Sequence, residues 1–121
     1  MKISGLDHVA IGVRSISQSV KWYSSVLLLE KITYPEWGDK PIIMQGENGS
    51  GIALFEAIGN IKDNSGNLPH IAFKIDGLSY SKFKSHFADK SIRFYEEDYQ
   101  ICKSIFIRDP DNYLIELAWY Y

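Results

Sequence analysis

Two histidines open matching apolar segments of this 121-residue chain, His8 in HVAIGV and His70 in HIAFKI, and a glutamate follows each at similar distance. Glu56 comes 48 residues after His8, and Glu116 comes 46 after His70. Imidazole plus carboxylate is a ligand set for a borderline divalent metal such as Zn, Ni, Co, Mn or Fe(II), and four protein ligands leave room for one or two waters. Taken singly, each His is more often a packed or hydrogen-bonded residue than a ligand, and a strand Glu more often reaches water at a sheet edge. Repetition shifts that balance.

The elements that must position these groups are legible from period and punctuation. Ile105 to Trp119, IFIRDPDNYLIELAW, predicts a β-hairpin whose turn is Asp109 to Asn112, with Pro110 pre-set in φ and Asn112 tolerant of positive φ. On its second strand Leu114, Glu116 and Ala118 share one face, and Ile115, Leu117 and Trp119 share the other. In GIALFEAI the same alternation groups Ile52, Leu54 and Glu56, so Glu56 is expected to leave its strand as Glu116 leaves its own.

From the start, His8 to Val13 alternates as a strand, and Ile16, Val20, Tyr23 and Leu27 then fall at helical spacing with Ser15 or Ser17 as N-cap. Strands are predicted at Lys31 to Tyr34, Ile42 to Gln45 and Gly51 to Ile58. The polar stretch Gly59 to Pro69 reads as a connector. Beyond it, HVAIGVRSISQS aligns with HIAFKIDGLSYS at a constant offset of 62 residues. A helix with Tyr80, Phe83 and Phe87 on one face follows, then strands near Ile92 to Tyr95, Lys103 to Arg108 and Tyr113 to Trp119. The chain thus predicts one α+β domain, residues 1–121, of two βαβββ units with mixed sheets, about 3–58 and about 70–121. A single such unit cannot cover its own sheet face, so the two are expected to pair.

Composition narrows the partners. A net charge of -2 without a basic run argues against nucleic acid and anionic membrane, and no apolar run approaches the ~20 residues of a membrane span. The single cysteine, Cys102, excludes an internal disulfide and has no neighbouring His or cationic cluster to activate it. MKISGLDHV has no apolar stretch of signal-peptide length, so a cytoplasmic protein is expected.

LDHVAIGV, LPHIAFKI and IFIRDPDNYLIELAW together resemble the vicinal oxygen chelate superfamily, over nearly the whole chain. That superfamily includes glyoxalase I, methylmalonyl-CoA epimerase, fosfomycin-resistance thiol transferases, extradiol dioxygenases and bleomycin-binding proteins. The resemblance implies paired βαβββ units curling around a metal cleft, with His8, His70 and Glu116 as ligands and Glu56 as the fourth. Gly12 stands where glyoxalase I has an Arg that helps hold glutathione, VLLLE replaces the usual VLGLE, and Asn112 replaces the usual turn Gly. The implied activity is that of a glyoxalase I-like lyase or isomerase on a small α-hydroxycarbonyl or hemithioacetal substrate. A proton would pass through Glu116 or Glu56 while the ion offsets enediolate charge. A non-catalytic binder of antibiotic type, an epimerase and a fosfomycin-type thiol transferase are the alternatives.

Arg108 is a candidate contact for an anionic substrate, in competition with an ion pair to Asp109 or Asp111. Tyr34 and Trp37 flank a Pro-bounded loop and are candidates for a pocket wall. Unpaired strand edges imply a homodimer, with units closing within a chain or exchanged between chains.

Overall fold

The alternation of Val9, Ile11 and Val13 with His8, Ala10 and Gly12 forms strand β1, His8–Val13, in a computed structural model that describes residues 1–59 and 67–121. Of the connector expected at Gly59 to Pro69, residues 60–66 lie outside the described residues. The chain divides into two compact units, Met1–Ile61 and Lys62–Tyr121.

In the first unit Ser15 caps helix α1, Ile16–Val26, its Oγ accepting from the Gln18 N–H at 3.2 Å. Strands β2 (Glu30–Ile32), β3 (Ile42–Gln45) and β4 (Gly51–Glu56) complete a four-stranded sheet of order β1-β4-β3-β2. β1 runs parallel to β4, and the other pairs are antiparallel. Ile11, Val13, Ile52 and Leu54 are buried together with Tyr23 and Val26 of α1. Each such fully buried side chain contributes about 1.5–3 kcal/mol. The strand expected to reach Tyr34 stops at Ile32, because Pro35–Trp37 form a single 3-10 turn for which Tyr34 is the cap and left-handed Gly38 the exit.

Leu28 leaves α1 with φ 58, the left-handed conformation in which glycine is usual, and its side chain is exposed. A left-handed L-residue costs about 1–2 kcal/mol, against about 0.5–1 for glycine's extra chain entropy. Leu28→Gly is therefore expected to raise unfolding stability by about 0.5–1 kcal/mol, read as a higher urea midpoint at unchanged slope. An unchanged midpoint would show that the leucine side chain offsets the strain.

The second unit repeats the first. Strand β5 (Ile71–Lys74) leads to helix α2 (Gly77–Asp89), capped by Asp76, whose carboxylate accepts from the Ser79 N–H at 2.7 Å. Strands β6 (Tyr95–Asp98), β7 (Cys102–Arg108) and β8 (Leu114–Tyr120) give the order β5-β8-β7-β6, with β5 parallel to β8. Tyr80 and Phe87 are buried, and Phe87 lies 5.5 Å from Phe83 and 6.0 Å from Phe94 between ring centroids. A β-carbon on Gly77 would stand 2.8 Å from the Trp119 indole, so only glycine lets α2 start this close to β8. β6 begins later than the expected Ile92, because the Ile92 N–H still closes on the Phe87 carbonyl and Ser91 turns left-handed at φ 55. Asn112 is left-handed at φ 69, as the hairpin turn requires.

The fold is thus α+β, two mixed four-stranded sheets each with one helix. Among the described residues no helix is long and apolar enough to cross a membrane.

Candidate functional site

In the second unit, α2 covers the β8 face that carries Trp119, whose ring lies 5.6 Å from that of Tyr80. Leu114, Glu116 and Ala118 leave β8 on the opposite face. Strand register sets Ala72, Glu116, Phe106 and Tyr95 in one row across that face, and Ala118, Ser104 and Glu97 in the next. Arg108, paired with Leu114, ends the face at the hairpin turn.

Glu116 is only 9% exposed, and a carboxylate removed from water to that extent must be hydrogen-bonded. The fully buried Ser104 donates its hydroxyl to Oε1 at 2.6 Å, and Oε2 lies 3.1 Å from Nε2 of His70. Cys102, also buried, lies next to Ser104 on the same strand face, Sγ 3.6 Å from Ser104 Oγ. His70 sits just ahead of β5, half-exposed, edge-on to Phe106 at 6.3 Å. Phe106 stacks on Tyr95 at 4.9 Å with only 11° between the rings. Tyr95 remains exposed, as does Tyr99 beyond the strand. The Tyr99 phenol is held above its ordinary pKa, first by desolvation and then by the negative charge of Glu97 and Glu116. The face is aromatic and electronegative, a setting that favours cations.

Two ligand atoms each about 2.1 Å from a metal ion and about 90–110° apart stand about 3.0–3.4 Å from one another. The 3.1 Å between His70 Nε2 and Glu116 Oε2 fits that separation, and Ser104 holds Oε1 so that Oε2 is the donor presented. In the first unit, Nδ1 of His8 is 2.7 Å from the Asp7 carboxylate. A carboxylate on Nδ1 orients the ring and leaves Nε2 as the ligating atom.

Glu56 is placed otherwise than its spacing suggests. Val9 pairs with Ile52, 43 residues on, whereas its counterpart Ile71 pairs with Ile115, 44 residues on. That one-residue difference reverses the faces. His8 lines up with Gly51, Ala10 with Ala53 and Gly12 with Phe55, while Glu56 lines up with Val13 on the face that α1 covers. The first-unit counterpart of Glu116 is therefore Ala53, which is buried and has no donor atom. Glu56 instead lines a cavity on the helix side of its sheet with Arg14, Lys21, Lys31 and Lys40. Within neither unit, among the described residues, do three His, Cys, Asp or Glu side chains gather as a ready ligand group.

Arg108 Nη1 donates to the Asn112 carbonyl at 3.1 Å, across the hairpin turn. The Asp109 carboxylate accepts from the N–H groups of Asp111 and Tyr113, at 2.9 and 2.8 Å, and so shapes the turn. Tyr34 and Trp37 pack on each other at 4.6 Å, both partly exposed.

A profile of the Glyoxalase/Bleomycin resistance protein/Dioxygenase superfamily matches residues 5–117. The chain belongs to that superfamily. Its fold is that of a glyoxalase/bleomycin resistance protein/dioxygenase domain from Frankia sp. EAN1pec, at TM-score 0.80 and 21% identity, covering 99% of this chain and 94% of that one. A fosfomycin resistance protein, FosX, from Listeria monocytogenes matches at TM-score 0.76 and 23% identity, over 99% and 96% of the two chains. A lactoylglutathione lyase from Agrobacterium tumefaciens matches at TM-score 0.75 and 17% identity, over 98% and 96%. No protein with a curated description matches the sequence.

Superfamily resemblance pointed to His70 and Glu116 but not to Ser104, Phe106, Tyr95 or Glu97. The signal for Ser104 and Phe106 was present. With the turn at Asp109 to Asn112, counting back along β7 by twos from Arg108 puts Phe106 and Ser104 on the Glu116 face.

Proposed function

We propose that this superfamily member is a metal-dependent lyase or isomerase acting on a small substrate with adjacent oxygens, such as an α-hydroxycarbonyl, with His8, His70 and Glu116 as the ligands. The observation that carries this reading is the contact of the nearly buried Glu116 with both the buried Ser104 and the half-exposed His70. A divalent ion held there would supply Lewis-acid stabilisation of negative charge on the substrate oxygens. Proton transfer falls to Glu116, since Glu56 leaves its sheet on the helix side. Glu97 is the other carboxylate of the Glu116 face. Tyr95, backed by the buried Phe106, offers an apolar surface to the substrate body, and Arg108 offers a cation to an anionic group. Tyr34 and Trp37, packed on each other in the first unit, are proposed as a substrate-binding pair.

A second reading is favoured by Ala53. With no donor at that position the ligand set is two histidines and one glutamate, which suits transfer of a thiol or other nucleophile to a small electrophile, as in the fosfomycin-type members. Metal-loaded protein incubated in deuterated water with hemithioacetals of several thiols, acyl-CoA epimers and fosfomycin plus thiol separates the readings. Deuterium at the carbon next to a carbonyl is expected from the first. Turnover of fosfomycin alone would establish the second. No turnover of any of them, with tight binding of an aromatic or antibiotic ligand, would leave a non-catalytic binder.

A further inference from the structure

The first unit holds a cavity of about 930 Å³ on the helix side of its sheet, remote in role from the face that carries His8. Its floor is apolar, formed by Val20 of α1, Ile42 of β3 and the buried Leu54 of β4. Arg14, Lys21, Lys31 and Lys40 surround that floor, against the two carboxylates of Asp39 and Glu56. The lining therefore carries a net charge of about +2 in a chain whose net charge is -2. The four cations come from four separate segments, the β1–α1 turn, α1, β2 and the loop before β3, so the fold and not local sequence gathers them. Among the described residues none of Lys21, Lys31 and Lys40 forms an ion pair, and neither does Glu56.

A cavity in the second unit shows the contrast. It is about 620 Å³ and also holds Lys and acidic side chains, but there Lys84 is already bound to Glu96 at 2.8 Å, and Tyr80 donates to the same carboxylate at 2.8 Å. There one lysine and one carboxylate of the lining are already paired. In the first unit Lys21, Lys31 and Lys40 line the cavity without an ion pair among the described residues, and the carboxylates of Asp39 and Glu56 offset only part of the positive charge gathered there. An apolar floor of this size under a cationic rim has the make-up of a small-molecule site, hydrophobic walls with a few convergent charges.

We propose that this cavity binds an amphipathic monoanion, a carboxylate on a hydrocarbon body, with the body on Val20, Ile42 and Leu54 and the head group between the lysines. Lys31 and Lys40 attract the head group, and Glu56 opposes it and limits affinity. The site does not depend on the metal or on the Glu116 face, so its test is independent of the activity proposed above.

Decanoate is the probe, with calorimetric titration of the full chain after treatment with EDTA. Lys31→Glu and Lys40→Glu, both exposed positions, are each expected to weaken binding tenfold or more, and Glu56→Gln to strengthen it severalfold. Decanol, the uncharged analogue, is expected to bind at least tenfold more weakly than decanoate, and added salt to reduce the difference. Absence of decanoate binding, or binding that none of the three substitutions alters, would overturn the proposal. So would binding that EDTA abolishes, because the carboxylate would then be a metal ligand on the other face.

Discussion

Glu116→Gln and His70→Ala are expected to lower divalent-metal affinity by more than about 100-fold, beyond the range found for residues that merely support a ligand. Glu56→Gln is expected to retain one ion per chain, because Glu56 leaves β4 on the helix-covered side while Ala53 occupies the place equivalent to Glu116. Glutamine is the informative change at position 116. It still accepts the Ser104 hydrogen bond, whereas alanine leaves a fully buried hydroxyl with only the weakly accepting Cys102 sulfur, at a cost of about 1–3 kcal/mol. Loss of metal in Glu116→Gln with an unchanged urea midpoint thus isolates ligation from folding. Elemental analysis of protein purified without a polyhistidine tag, followed by competition with a chelator of known affinity, gives the numbers. Undiminished metal in both His8→Ala and His70→Ala would end the metal reading. Mixing those two variant chains also tests the expected homodimer. Recovery of one intact site per pair of chains means exchanged units, and no recovery means self-contained chains.

The second large effect is expected at Ser104. Its hydroxyl, fully buried and 2.6 Å from Glu116 Oε1, fixes which carboxylate oxygen faces His70. Outer partners of metal ligands change affinity by about 10–100-fold when removed. Ser104→Ala should therefore weaken metal binding within that range, and Ser104→Thr, which restores the hydroxyl, should recover most of it. The substitution to alanine also frees one oxygen of a nearly buried carboxylate, so a stability loss of about 1–3 kcal/mol accompanies it. A stability loss with unaltered metal affinity in Ser104→Ala would reduce Ser104 to a structural role. Equal metal loss in the alanine and threonine variants would point to crowding at the site and not to the hydrogen bond.

Most of the architecture was legible in the sequence because it is written in local signals. The change from period two to helical spacing after Arg14, the caps at Ser15 and Asp76, and the turn at Asp109 to Asn112 all act over a few residues. The repeat at an offset of 62 residues announced two like units, and both sheets have the same strand order. Edge elements were less legible. β2 and β6 are short and wholly or largely exposed, so no buried row marks their ends, and a 3-10 turn and a left-handed Ser91 moved their limits.

The two glutamates mark the boundary between what the sequence by itself determined and what tertiary structure decided. Glu116 follows a tight antiparallel turn, and a turn of fixed length sets strand register locally, so the face of Glu116 and of its neighbours Ser104 and Phe106 was already implied. Glu56 lies on β4, whose pairing with β1 is parallel and joined only through a helix and two intervening strands. No turn constrains that register. Packing of Ile11, Val13, Ile52 and Leu54 against α1 selects it, and a shift of one residue sends every side chain to the opposite face. Counting residues between His8 and Glu56 cannot detect such a shift, and so the fourth carboxylate, equivalent by spacing, became part of a different cavity.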